Sequence, residues 1–160
     1  MKLQRAGGDI TRKQAKENKT AIYVFTDNGD RTSGKRRVPD ESEYAKRFGK
    51  TGLMHPQAQT SAILRGLDNA FPITTQKHYV PSPNQNKGNW EDSDFEEFKK
   101  VIDDDIEHIK EACVRLKPEK IIFPWNGVLN SKISNITFYR TPKLYNYIIE
   151  KEIELRDFEI

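Results

Sequence analysis

At 160 residues the chain has room for one domain of ordinary size, and two independent cores would be cramped. Charged residues make up 32% and hydrophobic residues 35%, a polar balance, yet the 8 Phe, 6 Tyr and 2 Trp spread along the chain exclude wholesale disorder. The net charge of +3 is uneven: residues 1–77 carry +7, residues 78–118 carry −4 and residues 119–160 are neutral, so any pull on anions such as phosphates belongs to the N-terminal half.

A single cysteine, Cys113, excludes an internal disulfide. With no apolar N-terminal run resembling a signal peptide, it points to a cytoplasmic protein. No stretch approaches the roughly 18 apolar residues that a membrane span needs. Cys113 falls on the apolar side of a predicted helix and reads as a buried structural thiol.

In chain order, residues 1–19 lack apolar periodicity and read as a flexible basic arm, with room for a short helix near Thr11–Asn18. The domain proper then spans residues 20–160. Ala21–Thr26 is β-branched and aromatic, a buried strand that stops at the turn formers Asp27-Asn28-Gly29. From Asp27 to Arg37 no side chain is hydrophobic, so this segment belongs at the surface. Asp40 or Ser42 can cap a short helix through Phe48, with Tyr44 and Phe48 inward. Ala58, Ala62, Ile63, Leu67 and Ala70 recur at helical spacing, which predicts a helix over Gln57–Phe71 closed by Pro72. Ile73–Val80 reads as a second strand, and Pro81–Asp92 as a long loop.

The clearest helix follows. Ser93 and Glu96 have the spacing of a capping box, and Phe95, Phe98, Ile102, Ile106, Ile109, Cys113 and Leu116 form one inward stripe, with Asp103-Asp104-Asp105 read as a solvated face. After Pro118, Lys120–Trp125 is the apolar run of a central parallel strand, and Pro142 opens a last helix through Phe158 with Leu144, Tyr147, Ile148 and Leu155 inward. Strands alternating with helices predict a single α/β domain with a mostly parallel or mixed sheet and helices on both faces.

In such sheets ligands settle outside the carboxyl ends of the strands, where two polar loops fall. The first offers Asn28, Gly29, Arg31, Thr32 and Ser33, which can present backbone N–H groups, hydroxyls and a guanidinium to phosphate oxygens. The second offers Asn126, Gly127, Lys132 and Ser134. Arg65, Asn69, Thr74 and Thr75 crowd an exit near Gly66, a glycine that a helix tolerates only for a close approach by backbone or ligand. The two loops are expected to converge on one anion-receptive hollow, with Arg31→Ala and Arg65→Ala each abolishing ligand binding. Neither loop is a Walker A or GxGxxG sequence, and ordinary Asx and Ser/Thr turns use the same residues.

No reaction is disclosed. The histidines His55, His78 and His108 lack a nucleophile elbow and a zinc spacing, so neither metal nor cofactor is expected. Asp27 or Asp30 could still serve a hydrolase as a base on water, or by holding a divalent ion beside bound phosphates. Basic residues 31–37 could meet nucleic acid, although no aromatic interleaves them.

The stretches Val24–Gly34, Arg65–Thr75 and Ile122–Gly127 resemble an uncharacterised family of large tailed-bacteriophage proteins. Ile121–Ser134 is similar to the ligand loop of macrodomain-type ADP-ribose binders, although only Gly127 stands between Trp125 and Ser134 where that family has a glycine-rich loop. These likenesses imply a Rossmann-like or macrodomain-like fold in the host cytoplasm. They also imply a partner that is a phosphate-bearing nucleotide derivative, sequestered against host defence or metabolism. Hydrolysis of that ligand, or a nucleic-acid or host-protein interaction module, are the alternatives. Sponges of this kind often place ligands between subunits of a homo-oligomer.

Overall fold

The computed structural model describes residues 1–32, 38–40, 52–54 and 61–160. Its centre is a four-stranded, all-parallel sheet in the order β1 (Lys2–Arg5), β6 (Lys120–Phe123), β2 (Ala21–Asn28), β5 (Ala70–Gln76). A separate antiparallel pair, β3 (Val38–Asp40) and β4 (Gly52–Met54), registers Val38 against Met54. The expected helix through Phe48, Ser33 of the first polar loop and His55 lie outside the described residues.

β2 and β6 are inner strands, and their continuous apolar runs bury both faces. On one face Ile22, Val24, Phe71, Ile73, Ile121 and Phe123 pack under α2 (Phe95–Leu116) and α3 (Pro142–Asp157). On the other, Tyr23, Phe25, Ala70 and Ile122 pack with α1 (Arg12–Glu17) and a 3-10 turn at Ser61–Leu64. The α/β architecture with helices on both faces is as predicted, and the sheet is of the parallel, Rossmann-like kind.

Four local differences have physical causes. Residues 1–19 hold regular structure rather than forming a loose arm: Lys2–Arg5 pair with Lys120–Phe123 in the sheet, and Thr11 caps α1 through a reciprocal box with Gln14. Edge strand β1 keeps charged side chains outward, which is why its sequence carries no strand signal. The helix expected over Gln57–Phe71 is absent from its described part. The 3-10 turn covers only Ser61–Leu64, Gly66 adopts φ 88°, and the apolar spacing of Ala62, Leu67 and Ala70 serves packing instead.

The next strand therefore runs over Ala70–Gln76, with Pro72 inside it. This is compatible because β5 is an edge. The N–H of Thr74, two residues on and of the same parity, leaves the sheet for Asp105, so the N–H that Pro72 lacks is not one the ladder needs. Finally, the box before α2 is formed by Glu91 and Asp94 around a short 3-10 turn, not by Ser93 and Glu96.

Candidate functional site

β2 ends in Asp27-Asn28, where a register shift against β5 turns the chain off the sheet. Asp27 is buried and accepts two hydrogen bonds from Arg65, Nε to Oδ2 at 2.9 Å and Nη2 to Oδ1 at 2.6 Å. Arg31, in the left-handed region at φ 54°, folds back so that Nη2 lies 3.4 Å from Asp105 Oδ1 and Nη1 lies 3.9 Å from Asp27 Oδ2. Asp105 projects from α2, and its Oδ2 accepts the Thr74 N–H at 2.8 Å. Two guanidinium groups and two carboxylates thus neutralise one another inside the protein.

The first polar loop is closed by its own bonds. Asn28 Oδ1 accepts from the N–H groups of Asp30 (3.1 Å) and Thr32 (3.3 Å), while Asn28 Nδ2 donates to Thr32 O at 2.7 Å. Gly29 N–H donates to Gln76 O, and a Cβ on Gly29 would stand 2.3 Å from Lys77 O. Arg31 N–H donates to Asn28 O. Asp30 Oδ2 accepts from Tyr79 N–H at 2.8 Å. Backbone donors expected to cradle phosphate are spent within the protein, and Arg31 and Arg65 are spent on carboxylates. Asp27 is engaged on both oxygens by Arg65, whereas Asp30 gives only Oδ2 to the Tyr79 N–H and stays exposed.

Other predicted residues disperse. Asn69 sits at the opposite, amino end of β5, where its Nδ2 bonds the carbonyls of Ala15, Asn18 and Ala21 and ties α1 to the sheet. Thr75 is buried, and Thr74 joins the charge cluster through its backbone. Asn126, Gly127, Lys132 and Ser134 do lie beyond the carboxyl end of β6, the strand next to β2, but no bond links their loop to residues 27–32 among the described residues.

What their loop does meet is β1. The Arg5 guanidinium lies against Gly127, at φ 73°, where an added Cβ would stand 3.0 Å from Nη2. Trp125 is 55% exposed, and its indole N–H donates to Asp9 Oδ1 at 3.0 Å. Farther along, Ser131 Oγ accepts the N–H groups of Ile133 and Ser134. Arg140 bonds the carbonyls of Asn135 (2.7 Å) and Trp90 (3.1 Å) and the Glu91 carboxylate (2.8 Å), which holds the loop in one shape.

Sequence reasoning missed Asp105, Arg5, Trp125 and Arg140. Asp105 was legible: it stands seven residues after Phe98 and seven before Ala112, on the buried stripe. Burial pushes its carboxyl up to about 6, against the opposing pulls of the Arg31 guanidinium and the Thr74 N–H. Because the folded value exceeds the unfolded 3.8, Asp105 favours folding below pH 4 and that contribution is lost as pH rises through 6. Urea unfolding of the protein and of Asp105→Asn at pH 4 and pH 7 is expected to show the variant gaining about 2–3 kcal/mol on the parent across this window. A constant difference at both pH values would show that Asp105 keeps an ordinary carboxyl.

Among the described residues no cluster of three or more His, Cys, Asp or Glu side chains could hold a metal ion, and no helix is long and apolar enough to cross a membrane. A family model described as a family of unknown function (DUF7831) matches residues 6–151. No curated protein and no solved structure matches the chain at a significant level.

Proposed function

We propose that this chain, which belongs to the family of unknown function DUF7831, binds a phosphate-bearing nucleotide derivative over the carboxyl ends of β1 and β6. The observation that carries the reading is the Arg5 guanidinium lying on Gly127, two residues along the chain from the exposed Trp125. Arg5 is exposed and makes no side-chain hydrogen bond among the described residues; its charge opposes the upward pull of burial on the Glu152 carboxyl, and its fork of donors can still serve phosphate oxygens. Gly127 keeps the backbone low beneath it. Lys132 adds an exposed second cation on the same loop. Trp125, anchored by its N–H, offers a ring face on which a base or a guanidinium-bound ligand can stack.

Of the residues first expected to bind, Asn126, Gly127 and Lys132 keep that role. Arg5 replaces Arg31 and Arg65 as the phosphate contact. A macrodomain-like mode of ligand capture, a bacteriophage setting and a role against host defence or metabolism are the outer reach of the same proposal. A hydrolase that used Asp27 as its base is disfavoured by the engagement of both its oxygens with Arg65. The interaction-module reading has one observation in its favour, the exposure of Phe138 (64%) and Tyr139 (87%) on the loop before α3.

The chain has two tryptophans, and Trp90 is buried, so a change in tryptophan emission reports on Trp125. Titration with ADP-ribose, NAD and cyclic di- and trinucleotides is expected to quench that emission for at least one of them. Arg5→Ala should then weaken binding roughly 10–100-fold, the loss of one charge-assisted contact. Chromatography of the incubated ligand separates the readings: intact ligand supports binding, conversion supports the hydrolase, and quenching by oligonucleotides alone supports the interaction module. No quenching by any nucleotide overturns the proposal.

A further inference from the structure

We infer that a groove between α1 and the sheet holds the base of such a ligand, and that it selects a nucleobase with an exocyclic amino group. The inference rests on the nucleotide reading above but on different residues. The pairing registers set Gln4, Ile122 and Tyr23 in one row across β1, β6 and β2, with their side chains on the α1 face. Adjacent strands stand about 4.8 Å apart, so this row makes a floor roughly 10 Å across, the width of a purine ring system. α1 supplies the opposite wall through Gln14, Glu17 and Asn18. Ala6, Gly7 and Ile10, on the turn that leaves β1, close one end.

The groove is open to solvent along much of its length and offers about 530 Å³, room for a purine ring system. Its lining is the reverse of a phosphate site. No lysine or arginine lines it, and Glu17 is its one carboxylate, so an amino group finds an acceptor there while a phosphate finds no cationic partner. Ile122, Ala6 and Ile10 give apolar contact to a flat ring. Tyr23 is 5% exposed, and its hydroxyl oxygen accepts from Asn18 Nδ2 at 3.0 Å, which leaves the phenolic O–H as an unspent donor. A donor for a ring nitrogen and an acceptor for an amino group within one groove match the edge of adenine and not that of hypoxanthine. The turn that carries Gly7 continues to Asp9, whose carboxylate holds Trp125; Arg5, the residue after Gln4, points to the opposite face of the sheet, so a ligand held at both places crosses the carboxyl rim of β1.

Two variants test this. A Cβ on Gly7 meets nothing within 4 Å, so Gly7→Leu puts a side chain into open space at the groove without disturbing the fold. Tyr23→Phe removes only the hydroxyl. ADP-ribose binding, read by calorimetry, is expected to fall at least ten-fold in Gly7→Leu and about five-fold in Tyr23→Phe, while ribose 5-phosphate binding stays at the parental level. The inosine counterpart of ADP-ribose should bind the parent at least ten-fold more weakly than ADP-ribose. If ADP-ribose binds both variants as it binds the parent and yet fails with Arg5→Ala, the groove assignment falls and the phosphate contact stands. If neither probe binds the parent, both fall. Thermal unfolding of each variant confirms that the comparison is made between folded proteins.

Discussion

Arg65→Ala is expected to lower the stability of the fold by about 3–5 kcal/mol, the cost of stripping one partner from a buried ion pair. Asp27 has no exposed side-chain surface, and the two short bonds from Arg65 are its closest compensation. Arg31 compensates only weakly once they are gone, since it stands 3.9 Å away and is shared with Asp105. For a chain of this length the loss corresponds to a melting temperature roughly 6–20 °C lower. The double variant Asp27→Leu with Arg65→Met should recover much of it, because removing both charges removes the desolvation cost along with the attraction. Ligand affinity, measured below the lowered melting point, is expected to stay within about three-fold of the parent, in contrast with Arg5→Ala. A stability loss under about 1 kcal/mol would mean that water reaches Asp27.

Trp90→Ala is expected to cost a comparable 3–5 kcal/mol, roughly the loss of a large buried side chain with a cavity left behind. Trp90 is 2% exposed and meets Phe98 edge-on, with ring centroids 5.4 Å apart. Its indole N–H also donates to Thr74 O at 3.0 Å. Thr74 therefore has its carbonyl held by Trp90 and its amide held by Asp105, so two side chains from outside the sheet satisfy the edge of β5. Trp90→Phe separates the contributions: it keeps most of the ring contact and leaves the Thr74 carbonyl unpaired, for an expected loss of about 1–3 kcal/mol. Chemical denaturation of both variants gives the comparison, and equal losses would assign the whole effect to the hydrogen bond.

Much of this molecule was legible in its residue order. The stripe from Phe98 to Cys113, the runs Ala21–Thr26 and Lys120–Phe123, and the proline that opens α3 are local signals, and each element formed where its periodicity or its breaker put it. β1 and β5 were not legible, since an edge strand is recognised by what it pairs with. Lys2–Arg5 is polar outside, and Ala70–Gln76 contains a proline that only an edge accommodates. The candidate site shows the same division. Asn126, Gly127 and Lys132 could be picked from composition after a strand. Arg5 reaches Gly127 only because β1 and β6, more than a hundred residues apart in the chain, are neighbours in the sheet.

What the residue order determined by itself was the class of fold, the long helix, the inner strands and the carboxyl edge as the place where polar loops gather. Which cations remain free at that edge was decided only by the tertiary structure. A guanidinium looks the same in sequence whether it faces water or a buried carboxylate, and only folding brought Asp27 to Arg65 and Asp105 to Arg31, spending both arginines before any ligand could.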